Sequence, residues 1–106
     1  MIERIQNGEA TAEEAREALA PLINRGGEFS LQLAYTCARD WTWKALNARR
    51  RDEADMRAWF YLLRAFADHL RRAHPEHSGR FYSLMDMVGV SISHGEVSPG
   101  QRPSAA

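Results

Sequence analysis

Residues 52–74, DEADMRAWFYLLRAFADHLRRAH, return apolar side chains at three- and four-residue intervals: Met56, Trp59, Phe60, Leu63, Phe66, Ala67 and Leu70. That is the period of one face of an α-helix; the faces of a strand alternate every second residue. Asp52, whose carboxylate can accept from a free first-turn amide, opens the segment, and Pro75, which cannot continue a helix, is expected to close it. An apolar face this wide has to be buried against other elements, which commits the chain to a packed helical core.

Two further segments share the period. In ATAEEAREALAPLINRGG, Thr11 and Glu14 have the spacing of a capping box, in which each side chain satisfies the other's free backbone amide. Ala15, Ala18, Leu19, Leu22 and Ile23 follow on one face, Gly26 and Gly27 mark the end, and Pro21 predicts a kink or an early stop. SLQLAYTCARDWTWKALNARR predicts a helix with Ala34, Cys37, Ala38, Trp41 and Ala45 on its buried stripe. The junction at 47–53 reads equally as a turn or as a bend in one long helix. After a loop at HPEHSG, RFYSLMDMVGV predicts a shorter helix. The expectation is an all-α fold: a compact bundle of three main helices plus a shorter fourth, with residues 1–92 as a single domain. The glycine, proline and serine content of 93–106 predicts a flexible C-terminal tail.

At 106 residues the chain suits one core, burying roughly 65% of its extended surface. Fourteen basic residues balance fourteen acidic ones, removing the strongest argument for nonspecific binding to a polyanion. The balance is uneven along the chain, with six acids and three bases in 1–28 but ten bases and six acids in 39–80. The single cysteine, Cys37, forbids an intramolecular disulfide and a four-cysteine metal site. Charges interrupt the start of the chain, and its longest apolar run, AWFYLL at 58–63, is far too short to span a bilayer. A cytoplasmic protein without membrane contact is expected.

Catalytic signatures do not emerge. The sequence has no G-x-S-x-G, no E-x-x-H and no glycine-rich phosphate loop. Asp52, Glu53 and Asp55 group where a helix dipole explains them, and Cys37 lies on the apolar stripe, where burial keeps a thiol protonated. His74, His77 and His94 lack the spacing of a structural zinc site and read as surface loop residues. No enzyme, cofactor or metal is expected.

Binding is better represented. Successive helical residues turn by about 100°, so Trp41 and Trp43 project roughly 200° apart and cannot share one core. Trp41 belongs to the small-residue stripe. Trp43 falls instead with Tyr35, Arg39, Leu46 and Arg50, while Arg57, Arg64 and Arg71 recur every seven residues with Tyr61 among them. Tyrosine, tryptophan and arginine dominate binding hot spots because they bury rigid area while keeping a polar handle. Tyr35, Arg39, Trp43, Arg50, Arg57, Tyr61, Arg64 and Arg71 are therefore the candidate binding residues. The leading expectation is an accessory subunit or inhibitor docking on a larger protein or ribonucleoprotein assembly. The competing one is a direct nucleic-acid binder: a single-strand binder, or a helix-turn-helix-like regulator with Gly89-Val90-Ser91 as its turn. A homodimer through the same faces is a third. The plainest alternative leaves the stripes as solvated helix faces, with Trp43 covered by the N-terminal segment or the tail.

Overall fold

A computed structural model of the chain describes residues 1–47 and 52–93. Its regular structure is helical throughout: α1 (Ile2–Gln6), α2 (Ala12–Arg25), α3 (Glu28–Asn47), α4 (Glu53–Leu70) and α5 (Pro75–Ser93). The radius of gyration is 13.9 Å, close to the roughly 13 Å expected of a compact domain of this length. No helix among the described residues is long and apolar enough to cross a membrane.

The capping box of α2 forms as its spacing predicts. The Thr11 hydroxyl accepts from the Glu14 amide at 3.1 Å, and the Thr11 amide donates to the Glu14 carboxylate at 3.0 Å. That backbone bond, with Arg4 behind it, holds the Glu14 carboxyl below its usual range. Pro21 does not stop the helix, which runs through it to Gly26, a left-handed cap at φ 75°. Glu17, whose carbonyl Pro21 leaves without a donor, is exposed, as is Pro21 itself, so water can satisfy that carbonyl.

Of the junction at 47–53, residues 48–51 lie outside the described residues; α3 runs to Asn47 and α4 begins at Glu53. Asp52 is extended at φ −87°, ψ 121° and caps α4 by accepting from the Ala54 amide at 3.2 Å. α5 begins earlier than its apolar segment suggests. HPEHSG is not a loop: Pro75 occupies the first helical position, where its missing amide hydrogen costs nothing. The last helix therefore has 19 residues, between the 18 of α4 and the 20 of α3, and is not the short one. It ends at Ser93; the rest of the expected tail lies outside the described residues.

α4 and α5 pair antiparallel, the Ser78 hydroxyl donating to the Ala67 carbonyl at 2.7 Å near one end and Phe60 lying against Gly89 near the other. α3 runs parallel to α5: Glu28 meets His77, and further along Tyr35 meets Phe81 edge to face at 5.9 Å. α2 packs against both α3 and α4, and the Asp55 carboxylate accepts from the Ala12 amide at 2.9 Å, so α4 helps cap α2. α1, which helical periodicity did not announce, lies on α3 with Ile5 fully buried.

At the centre, Trp41 and Trp59 stack with centroids 4.2 Å apart. Both indoles find acceptors. Trp41 donates to the Ala10 carbonyl at 2.7 Å, and Trp59 donates to the Thr42 hydroxyl at 2.9 Å, which in turn donates to the Ala38 carbonyl at 2.8 Å. A buried donor without a partner costs about 1–3 kcal/mol. Thr42→Val, nearly isosteric, is therefore expected to lower the unfolding free energy by about that amount, measured by urea denaturation followed by circular dichroism.

Candidate binding site

On α4 and its C-terminal cap, Arg71, the four residues picked out by spacing share one outward face. Arg57, Tyr61, Arg64 and Arg71 are all exposed, and Tyr61 retains 59% of its accessible surface. The arginines are partly neutralised. Arg57 is held by Glu53 one turn earlier at 2.7 Å, and Arg64 lies 3.9 Å from Asp68. The Asp68 carboxylate also accepts the Tyr82 hydroxyl of α5, and that bond, with some burial, holds the Tyr82 phenol above its ordinary range against the opposing pull of Arg71.

Beside this row a shallow groove of about 170 Å³ opens between α4 and the last turns of α5, lined by Arg57, Phe60, Tyr61, Gly89, Ile92 and Ser93. Gly89 permits it to form. A Cβ there would stand 3.0 Å from the Phe60 ring, tighter than nearly all native contacts, so the glycine admits Phe60 and does not turn the chain. This corrects the helix-turn-helix reading: Gly89, Val90 and Ser91 are consecutive residues inside α5.

The α3 set divides. Tyr35 is half-buried, its ring against Phe81 and beneath the Arg80 guanidinium at 5.5 Å, so it belongs to the seam with α5. Arg39 pairs with the adjacent Asp40 at 3.4 Å. The opposed projection of the two tryptophans is as expected, Trp41 being 3% and Trp43 54% exposed. The N-terminal segment leaves Trp43 more than half exposed: it lies along the adjoining flank of α3, with Gln6 at Asp40 and Gly8 against Lys44. Arg50 lies outside the described residues, as does His94. Because α3 meets one edge of α5 through Gln32 and Tyr35 and α4 meets the other through Phe60 and Asp68, the two stripes flank α5 and are not one continuous strip.

Two residues escaped the sequence reading. Phe29, in the first turn of α3, is the most exposed large apolar residue described, at 81%. Its signal was the heptad 29, 36, 43 that puts it in line with Trp43. His77 is not a surface loop residue: it is buried in the first turn of α5, its Nε2 3.1 and 3.2 Å from the two Glu28 carboxylate oxygens. A carboxylate only accepts, so Nε2 is the protonated nitrogen, and the buried Nδ1 has no partner. Among the described residues, no three histidine, cysteine or acidic side chains converge to hold a metal ion. Burial, aided by the Asp40 charge, raises the Cys37 thiol and leaves it unreactive. Comparison of the chain with protein-family models, with curated proteins and with solved structures finds no match.

Proposed function

We propose that this chain is a non-enzymatic helical binding protein, an accessory subunit or inhibitor, that docks on a larger protein or ribonucleoprotein assembly through the α4–α5 edge. The observation that carries the reading is Tyr61, more than half exposed beside a groove that Phe60 and Gly89 open, with Arg57 at the rim and Arg64 and Arg71 in line at about 10.5 Å intervals. An exposed aromatic next to a pocket sized for one side chain, with guanidinium groups at its rim, has the composition of a hot spot.

The charge on this edge favours a protein surface over a bare phosphate backbone. Three arginines (57, 64, 71) face two acids (Glu53, Asp68), a net of one positive charge, and the ion pairs engage the guanidinium groups of Arg57 and Arg64. A single-strand nucleic-acid binder would use the same row and would lose affinity steeply with salt, because each phosphate neutralised releases counterions.

The test is affinity capture from the source cells with the wild type and with Arg57→Ala/Tyr61→Ala, followed by titration of the captured partner. The double variant is expected to bind at least about tenfold more weakly with its helical circular dichroism unchanged. Equal capture by both proteins overturns the reading, and salt-sensitive binding of labelled oligonucleotides in fluorescence anisotropy replaces it with the nucleic-acid alternative.

A further inference from the structure

We propose that the groove between α4 and α5 takes the chain's own C-terminal segment, residues 94–106, as its occupant. α5 ends at Ser93, and Ile92 and Ser93 are themselves part of the groove wall, so the residues that follow start beside the space they would fill. The far end of that wall, Gly89, is about one helical turn back, roughly 6 Å along the axis. Residues 94–106 span up to about 43 Å when extended, several times that distance.

The order of residues after Ser93 suits a return into the groove. Gly95 stands two positions past the helix end, where the left-handed conformation that Gly26 adopts at the end of α2 reverses a chain without steric cost. Val97 is the one large aliphatic side chain of 94–106, and Phe60 and Ile92 wall a groove of about 170 Å³. Pro99 carries a rigid apolar ring of the kind that aromatic grooves hold in extended peptides, and Tyr61, 59% exposed, offers the aromatic face. Charge is matched as well. Glu96 is the one acid of the segment, and Arg57 is the one charged side chain among the described residues lining the groove. Glu53 engages part of the Arg57 guanidinium, but that group presents a fork of donors with room for a second carboxylate.

Tethering makes a weak contact sufficient. A segment attached at Ser93 meets the groove at an effective concentration on the order of millimolar, so an affinity in the same range keeps the groove about half filled. In its consequence for docking this inference rests on the function proposed above. The segment competes with the partner for one groove, and the partner's apparent affinity falls by the fraction of chains whose groove is open.

The contact is tested on the full chain with no partner present. A nitroxide attached at Gln101→Cys, for which the buried Cys37 thiol does not compete, is expected to broaden the NMR signals of Tyr61 and Gly89 well beyond that of the exposed Trp43 indole. Val97→Ser/Pro99→Ser is expected to remove that difference with circular dichroism unchanged. Equal broadening at Trp43 overturns the proposal, as does a pattern that the double serine variant leaves intact. Broadening of an isotope-labelled chain by a separate nitroxide-bearing one also overturns it, and assigns the groove to the segment of a second copy. With the captured partner in hand, Val97→Ser/Pro99→Ser is expected to bind it about two- to tenfold more tightly. Unchanged affinity overturns the competition. Failure of the docking reading leaves the broadening measurable, and absence of the broadening leaves the capture experiment measurable.

Discussion

Trp59→Ala is expected to lower the unfolding free energy by about 3–5 kcal/mol, the range for deleting a large buried aromatic. Trp59 is fully buried, its ring covers Trp41 at 4.2 Å, and its indole N–H closes a chain of hydrogen bonds through Thr42 to the Ala38 carbonyl. Alanine removes the stack and opens a cavity that the bundle can only partly collapse, because Met56, Leu63 and Phe66 on the same helix are themselves buried. A domain of this size commonly has about 5–15 kcal/mol in total, so the variant retains little margin. Trp59→Phe, which keeps most of the ring volume, is expected to lose less than half as much. Urea denaturation of the two variants at 25 °C, followed by circular dichroism, gives the comparison; equal losses would mean that ring volume does not set the cost.

Gly8→Ala is the second large effect, and Gly26→Ala is its control. Both glycines sit at φ 75°, where a Cβ costs about 1–2 kcal/mol. At Gly26 the added atom finds its nearest neighbour, His74 Nε2, at an ordinary 3.6 Å, so the backbone term stands alone. At Gly8 it would lie 2.5 Å from the Lys44 Cβ, an overlap that only a shift of the chain relieves. That shift pulls α1 away from α3 and uncovers Ile5, bringing the expected loss to about 2–4 kcal/mol. Hydrogen exchange across residues 2–6 should rise in Gly8→Ala and not in Gly26→Ala. Unchanged protection in both would show that α1 does not depend on the close approach.

The long helices were legible because their information is local. The period of Met56 to Leu70, the Thr11–Glu14 box and the opposed projection of Trp41 and Trp43 all follow from residues within a few turns. What escaped depends on neighbours distant in sequence. α1 has only five residues, too few for a period, and stands because Ile5 is buried against the rest of the bundle. Pro75 is a stop signal for the helix before it and a start signal for the one after, and only packing decides between them. Gly89 reads as a turn until Phe60, twenty-nine residues earlier, is seen to require its missing side chain. The candidate site shows the same division. Periodicity put Arg57, Tyr61, Arg64 and Arg71 on one face, but it could not say that Tyr35 turns into the α5 seam or that Phe29 is left largely exposed.

The arrangement of the three tryptophans also makes the molecule its own optical instrument. Trp41 and Trp59, in van der Waals contact and tilted 32° to one another, are close enough for their excited states to couple and give a split signal in circular dichroism that exists only while the core is intact. Trp43 stands alone and more than half in solvent, so its emission colour and its access to dissolved quenchers report on whatever lies over α3. Loss of the core and occupation of the surface thus register in two separate spectral channels of the unlabelled chain.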